Sequence, residues 1–272
     1  MAIVHKSVLV LCKTYPSPSG KYAELSCVAG MEPDGSLIRI FPVPFRHISQ
    51  DRQFKKWQWI DAKFEKARRD HRPESHTIKI DTLRTGKCVS TKNAWEARRE
   101  LIKKIPLNTD FAAIEQQHEK CGASLALLKP KHVRTLEIRP TTPDWSAKDL
   151  TKLTILHRQG NLFEQNRKQN VKILRKLPFD FYYHYKCETP NGSAAYRHKI
   201  VDWEIGALYW KCRQRHGNDW ELPFRSKMEQ ELPQSDLMFL MGNMHRYRDQ
   251  WLIISIIYPP KVQQLNLFTS LS

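Results

Sequence analysis

Two carboxylates and a histidine in the last third of the chain are the first candidates for chemistry. Asp202 and Glu204 follow His198 in the run His198-Lys-Ile-Val-Asp-Trp-Glu. Carboxylates beside an imidazole could bind Mg²⁺ and activate a water molecule, as in a metal-dependent nuclease. Residues two apart diverge on a helix and share a face only on a strand. The structural alternative is that Asp202 caps a helix and Glu204 complements its dipole.

A second candidate site combines sulfur and imidazole ligands. Cys187, His198, Cys212 and His216 are residue types that hold Zn²⁺, and the last two lie four apart, on one face of a predicted helix. Their spacing matches no standard zinc finger. The cofactor is therefore Mg²⁺ or Zn²⁺ if the protein uses one, and otherwise none is expected. The sequence contains no phosphate-binding glycine loop and no catalytic-serine motif.

The charge of the chain points to a polyanionic partner. There are 45 Lys and Arg residues against 28 Asp and Glu residues, which gives a formal net charge of +17. Such an excess repels itself, so it usually serves binding to a polyanion such as DNA or RNA. A membrane is not expected as the partner, because the longest apolar run covers residues 251–258 and a bilayer span needs about 20.

Basic and aromatic residues supply the candidate nucleic-acid contacts. Lysine and arginine contact phosphates, and aromatic rings stack on bases. Four of the candidate arginines lie in two polar loops, at residues 68–76 and 241–248. The alternative for each loop is that it is exposed to solvent and has no binding role. The candidates are Lys13, Tyr15, Lys21, Tyr22, Arg39, Arg46, Lys55, Lys56, Arg68, Arg69, Arg246 and Arg248.

The elements that must position these residues begin with short strands. Short runs rich in apolar residues, separated by turn signals, predict strands at residues 7–13, 24–29, 37–41, 57–64 and 77–83. The segment Glu32-Pro-Asp-Gly35 predicts a tight turn that joins the second and third strands in a hairpin. Short strands at this spacing predict a small barrel or a curled sheet.

The middle of the chain is predicted to be helical and the C-terminal part to be mixed. Apolar periodicity and capping residues predict helices at residues 91–104, 109–118, 162–177, 201–212 and 224–232. Strands are predicted at residues 133–138 and 179–185, and a hairpin at 237–241 and 251–258. The fold class is therefore α+β, with a barrel-like part at residues 1–88, a mixed part at 89–260 and a flexible tail at 261–272.

The tail contains the sharpest motif in the sequence. Gln264-Leu265-Asn266-Leu267-Phe268 follows Pro259-Pro260, which ends the preceding strand because proline cannot donate to the ladder. It resembles the pentapeptide with which bacterial replication proteins bind the sliding clamp. The resemblance implies that Leu267 and Phe268 fill an apolar pocket, that Gln264 hydrogen-bonds at its rim and that Leu265 also belongs to the clamp-binding residues. The alternative is that these residues pack on the body as a last strand.

The N-terminal segment carries a looser resemblance. Lys13-Thr-Tyr-Pro, Cys27-Val-Ala-Gly30 and Ile38-Arg39-Ile40 resemble the pattern of small β-barrel domains, called dual-OB, of bacterial nucleic-acid modification and conflict systems. In this sequence Arg39 is followed by Ile-Phe-Pro, whereas in the pattern proline follows the arginine directly. The resemblance implies a nucleic-acid-binding barrel and implies no reaction.

Together these features favour a DNA-binding accessory protein that the bacterial sliding clamp recruits to replication, repair or defence sites. A metal-dependent nuclease and an RNA-binding protein are the alternatives, and further subunits of a DNA-processing or defence complex are candidate partners. The six cysteines form no C-x-x-C pair, and the first residues lack a signal-peptide cleavage site. We therefore expect free thiols and a cytoplasmic, nucleoid-associated protein.

Overall fold

The chain forms a five-stranded barrel that packs against a seven-stranded mixed sheet with helices. The computed structural model describes residues 2–154, 172–190 and 192–262. The predicted α+β class, with a barrel first and a mixed part after it, is confirmed. None of the helices in these three ranges is long and apolar enough to span a membrane.

The barrel closes through a ring of strand pairings. Its elements are β1 (Ile3–Lys13), the short β2 (Ser17–Ser19), β3 (Ala23–Met31), β4 (Leu37–Val43), β5 (Gln58–Lys66) and β6 (Ser75–Cys88). Strand β1 pairs antiparallel with β3 and β5, β3 with β4, and β5 with β6. A parallel pairing of β4 with β6 completes the ring, and β2 pairs with the start of β3. Five strands closed in this way form the kind of barrel found in OB folds.

The hairpin of β3 and β4 forms at the predicted turn. Gly35 has a φ of +97°, and the side chain of Asp34 accepts a hydrogen bond from the Ser36 amide at 2.9 Å. A Cβ atom at Gly35 would lie 2.3 Å from the backbone oxygen of Lys104. This position therefore requires glycine for its backbone conformation and for space.

Alternate residues of the barrel strands fill its interior. Val8 and Val10 of β1 point inward, as do Ile38 and Ile40 of β4, because successive side chains of a strand face opposite sides. The interior also contains Val28, Val43, Phe45, Ile48, Phe54, Ile60, Ala62, Phe64 and Leu83. The inward set is almost wholly apolar, which is why the sequence pattern located these strands.

The second sheet has seven strands in the order β7-β8-β12-β13-β11-β10-β9. These strands are β7 (Leu107–Asn108), β8 (Leu125–Leu128), β9 (His132–Pro140), β10 (Phe179–Thr189), β11 (Gly192–Ile200), β12 (Met238–Asn243) and β13 (Trp251–Ile257). The pairs β7–β8 and β11–β13 are parallel, and the others are antiparallel. Sequence reasoning missed β2, β7, β8 and β11.

Among the described residues, four helices lie near predicted positions, and one, at residues 147–154, was not predicted. They are α1 (Lys92–Ile102), α2 (Phe111–Cys121), α3 (residues 147–154), α4 (Trp203–His216) and α5 (Glu221–Arg225), and α5 continues into a π-helix at Ser226–Glu231. Asp110 caps α2 by accepting a hydrogen bond from the Ala112 amide, and Gly122 ends the helix at a φ of +73°. Residues 172–177, predicted as the end of a helix, have no regular structure; the rest of that prediction and the clamp-like motif lie outside the described residues.

The two faces of the seven-stranded sheet have different neighbours. Helices α2, α4 and α5 cover one face, where Phe181, Tyr183 and Tyr185 of β10 meet Tyr209 and Phe224. On the other face the barrel covers β8, β12 and β13. A second apolar cluster there joins Leu9, Leu11, Ala29 and Met31 of the barrel to Leu125, Leu127, Leu240 and Ile254 of the sheet. Strands β9, β10 and β11 have exposed polar side chains on this second face.

Candidate nucleic-acid interface

The structure brings together two basic loops that are far apart in the sequence. The barrel loop (residues 67–74) joins β5 to β6, and the hairpin loop (residues 244–250) joins β12 to β13. These correspond to the two polar loops singled out from the sequence. They meet because the barrel packs on the side of the sheet where β12 and β13 lie.

Arg72 is the main link between the loops. Its Nη1 donates to the backbone oxygen of Asn243 at 2.7 Å and approaches the Asn243 side-chain oxygen at 3.3 Å. Asn243 in turn donates from Nδ2 to the backbone oxygen of Arg248 at 3.0 Å. Both Arg72 and Asn243 are buried. A buried guanidinium bonded to the backbone at the end of β12, where the hairpin loop begins, fixes the separation of the two loops.

Asp70 balances the buried charge of Arg72 and adds a second link. Its carboxylate accepts hydrogen bonds from Arg72 Nη2 at 2.6 Å and from Ser75 Oγ at 2.8 Å, and its Oδ1 lies 3.2 Å from His245 Nδ1. Partial burial opposes ionisation, but the hydrogen bonds from Arg72 and Ser75 outweigh it and hold the pKa of Asp70 well below its usual range. Asp70 therefore stays ionised at neutral pH.

Four exposed arginines lie on these linked loops. Arg68 has a side chain that is 73% exposed, and Arg69, Arg246 and Arg248 are also exposed. Tyr247 adds an aromatic ring with 59% of its surface exposed. The acidic residues nearby are Asp70, which is engaged with Arg72, and Glu65, Glu74 and Asp249. Phosphate-binding surfaces have this composition of several exposed cations beside an aromatic group.

The other predicted nucleic-acid contacts divide by exposure. Lys21 and Lys55 are exposed. Arg39 is 4% exposed and donates to the backbone oxygen of Ser124 at 2.8 Å, so it faces the sheet and not the solvent. Lys56 is also enclosed, with 8% of its side chain exposed. Arg39 and Lys56 lie where the barrel packs on the second sheet, and this packing covers their side chains.

Four further predicted contacts are half-buried on the barrel. Lys13 Nζ lies 3.7 Å from the centre of the Phe45 ring and donates to the backbone oxygen of Phe54. Burial lowers the pKa of Lys13 to about 8, although Glu204 and Asp202 oppose this. Tyr15 Oη donates to the backbone oxygen of Arg175 and accepts from Trp210 Nε1. The remaining two are Tyr22, whose ring lies under the Lys21 ammonium, and Arg46, which pairs with Glu24.

The predicted catalytic carboxylates surround Lys56. Glu204 Oε2 lies 2.9 Å from Lys56 Nζ, and Asp202 Oδ2 lies 3.5 Å from it. Asp202 also caps α4, because its Oδ1 accepts from the Glu204 amide, and its Oδ2 accepts from the Ile256 amide of β13. Burial opposes the charge of Lys56, but these carboxylates raise its pKa above the ordinary value. This geometry matches the structural alternative that the sequence left open.

His198, the third predicted catalytic residue, has a different set of neighbours. Its Nδ1 lies 2.8 Å from Tyr185 Oη, and its ring packs against Phe111. Burial lowers the pKa of His198 to about 4, so the ring is neutral at physiological pH. Among the described residues, no hydrogen bond or ring contact joins His198 to Asp202 or Glu204.

The predicted zinc ligands lie on three elements, β10, β11 and α4. Cys187 is buried in β10 and Cys212 in α4, while His216 is exposed at the end of α4. Burial raises the pKa of Cys187 to about 11 and also raises that of Cys212, which disfavours the thiolate that zinc binds. Among residues 2–154, 172–190 and 192–262, no group of three or more His, Cys, Asp and Glu side chains is arranged to hold a metal ion.

The two halves of this structure correspond to two family models. Residues 108–272 match a family described as a domain of unknown function (DUF8757). The chain belongs to the DUF8757 family. Residues 4–104 match a second family, also described as a domain of unknown function (DUF8758). No curated protein matches the chain. The barrel and α1 thus lie in the DUF8758 match and the seven-stranded sheet in the DUF8757 match, and the candidate interface takes one loop from each.

The residues that link the loops were missed in the sequence. Arg72 and Asn243 are separated by 171 positions, and nothing in either segment indicates its partner. The only local signal is the clustering of charged residues around Asp70 and Arg72. Such clusters usually mark solvated loops, so the sequence predicted the cationic residues and not their assembly.

Proposed function

We propose that this protein binds DNA through the surface shared by the barrel loop and the hairpin loop. The observation that carries the proposal is the pair of links, Arg72 to Asn243 and Asp70 to His245, which hold four exposed arginines of two distant segments together. Several cations on one surface supply most of the affinity for a phosphate backbone. The formal net charge of +17 adds long-range attraction.

The proposal includes recruitment by the bacterial sliding clamp. Gln264, Leu265, Leu267 and Phe268 lie outside the described residues, so support comes from the motif and from where the chain leaves the fold. Strand β13 ends before Pro259-Pro260, and the last described residues, 261 and 262, are exposed. A short peptide binds weakly alone, and tethering raises its effective concentration at DNA that carries a clamp. The host process is replication, repair or defence.

The binding test compares two pairs of neutralising substitutions. Arg69→Gln/Arg246→Gln removes one cation from each loop, so the slope of log affinity against log salt should fall by about two. Lys211→Gln/Arg215→Gln removes the same charge from exposed positions of α4, on the other side of the sheet, and should leave the slope unchanged. Fluorescence anisotropy with duplex DNA measures both. Equal slopes for the two double variants would reject the loop surface.

Further binding and cleavage assays distinguish the alternative functions. If the clamp recruits the protein, purified clamp should bind the full chain. The double variant Leu267→Ala/Phe268→Ala should no longer bind the clamp, but it should bind DNA as the wild-type protein does. An RNA-binding function predicts tighter binding to RNA of the same sequence than to DNA. Incubation with Mg²⁺ tests for a nuclease, since cleavage lost in Glu204→Gln with binding retained would assign chemistry to that carboxylate.

A further inference from the structure

Three strands of the second sheet present a polar face that, within the part of the chain that the structure describes, neither the helices nor the barrel covers. In β10, Tyr183 and Tyr185 are buried against the helices, so Tyr182 and His184 point the opposite way. In β11, Arg197 is directly opposite His184 in the antiparallel register. These outward side chains are exposed or half-buried. The open face lies on the same side of the sheet as the barrel.

A flat, fixed cation lies at the centre of this face. The guanidinium carbon of Arg197 is 3.7 Å from the centre of the Tyr182 ring. Glu137 of β9 accepts from Arg197 Nε at 2.7 Å and from Arg197 Nη2 at 2.9 Å. Two parallel hydrogen bonds to one carboxylate fix the orientation of the guanidinium plane. Glu137 also lies 2.8 Å from His184 Nε2, so one acidic residue positions both basic groups.

Further cations surround this central group. Arg139 is exposed on β9, Lys186 is half-buried on β10, and Lys199 lies on β11 with Asp180 at 2.7 Å. With Arg197 these are four cations on the open face, against the carboxylates of Glu137, Asp180 and Glu188, and Glu188 is itself paired with Lys131 at 2.9 Å. The excess of positive charge suits a polyanion and not a basic or neutral partner.

We propose that the Arg197–Tyr182 pair is a stacking platform for an unpaired base of single-stranded DNA, with the surrounding lysines and Arg139 contacting its phosphates. The proposal rests on the proposed DNA-binding function, and it specifies that the open face binds single-stranded DNA and not duplex DNA. Unpaired bases stack on aromatic rings and on arginine planes, whereas the bases of a duplex are covered by their neighbours. The two linked loops then bind the backbone, and the open face binds the unpaired segment.

The platform can be removed without changing the charge of the protein. Tyr182→Leu keeps an apolar side chain under Arg197, and Arg197→Lys keeps the cation while losing the plane and the paired bonds to Glu137. Each variant should bind short single-stranded DNA about tenfold more weakly, since stacking one base contributes on the order of 1–3 kcal/mol. Binding to duplex DNA and the salt slope should not change. Phe41→Leu, which removes an exposed ring from β4 of the barrel, is the matched control.

The fluorescence of a base analogue distinguishes stacking from electrostatic binding, because contacts to phosphates alone would not quench it. An oligonucleotide carrying 2-aminopurine should lose fluorescence on binding wild-type protein and Phe41→Leu, and should keep it on binding Tyr182→Leu or Arg197→Lys at saturating protein. Retained quenching in both platform variants would overturn the proposal. Tighter binding of RNA of the same sequence would overturn the assignment to DNA, and equal competition by an acidic peptide would overturn the stacking role.

The loop variants keep this proposal distinct from the broader one. If wild-type protein binds neither duplex nor single-stranded DNA at low salt, the proposed function fails and the platform fails with it. If it binds both, and only Arg69→Gln/Arg246→Gln weakens binding, the broader function stands and the platform is rejected. Thermal melting of each variant establishes that it is folded before binding is compared.

Discussion

Arg72 Nη1 donates to the backbone oxygen of Asn243 at 2.7 Å, and this hydrogen bond joins a loop of the barrel to a hairpin of the sheet. Both residues are buried, and Asp70 supplies the counter-charge. The contact converts two loops that would otherwise move independently into one surface. It is also the feature of the candidate interface that substitutions can test most directly.

Asp70→Asn should destabilise the fold because it leaves the buried charge of Arg72 without its partner. Removing one member of a buried ion pair costs about 3–5 kcal/mol, and the value here should be near the lower limit because Asp70 is partly exposed. Urea unfolding measures the loss. Asp81→Asn changes a fully exposed carboxylate and should cost less than about 0.5 kcal/mol. Similar losses for the two variants would contradict the role assigned to Asp70.

Acid should destabilise the protein through His198. Burial lowers the folded-state pKa to about 4, whereas the unfolded imidazole titrates near the ordinary value of 6.5. Stability is therefore complete above about pH 6.5 and is lost as the pH falls towards 4, because only the unfolded state gains the proton. His198→Gln, which keeps an acceptor for Tyr185, should make the loss of unfolding free energy between about pH 6.5 and pH 4 smaller by up to about 3 kcal/mol. Unfolding free energies measured from pH 4 to 8 check this, with His5→Gln, at an exposed position, as the control.

Asp202→Asn and Glu204→Gln should differ sharply in stability. Asparagine still caps α4, but the buried ammonium of Lys56 loses its enclosed counter-charge, which should cost about 3 kcal/mol. Glu204 is 51% exposed, and its pair with Lys56 should contribute less than about 1 kcal/mol. The double variant Asp202→Asn/Lys56→Met should recover part of the loss. Full stability of Asp202→Asn would show that the pair is not structural.

Lys13 should react with acylating reagents at lower pH than other lysines. Burial against the Phe45 ring lowers its pKa to about 8, so half of this amine is neutral at that pH, against less than about 1% for an ordinary lysine. Competitive labelling with trace acetic anhydride from pH 7 to 11, read by mass spectrometry, gives the titration curve. The exposed Lys55 provides the reference. A midpoint for Lys13 near 10.5 would contradict the prediction.

Much of the fold was predictable because its signals are local. The strands of the barrel are short runs rich in apolar residues, the turn at Gly35 needs a positive φ, and α4 places Ile205, Tyr209 and Cys212 on one buried face. Strand β11 was missed because its outward face is polar and only Ile200 is fully buried in the core, so its alternation is weak. Strand β8 is a run of only four apolar residues, too short for its period to be read.

The candidate site was predictable in its residue types and not in its geometry. Arg68, Arg69, Arg246 and Arg248 were chosen for charge, and all four are exposed. Arg39 was chosen for the same reason, yet it is buried, because the sheet covers it and supplies a backbone acceptor 85 positions away. The type of a side chain indicates which partner it can bind. Whether the side chain is exposed depends on which surfaces are covered when the barrel packs on the sheet.

The sequence by itself determined the α+β class, the order of most strands and helices, the cationic character and the clamp-like motif, since each follows from composition or from neighbours a few residues apart. Only the tertiary structure decided which charges are enclosed, which loops meet and which face of the second sheet stays open. These depend on pairings between residues distant in the chain, such as Arg72 with Asn243 and Lys56 with Asp202. Local periodicity carries no information about such pairs, because the free energy that forms them comes from packing the barrel on the sheet.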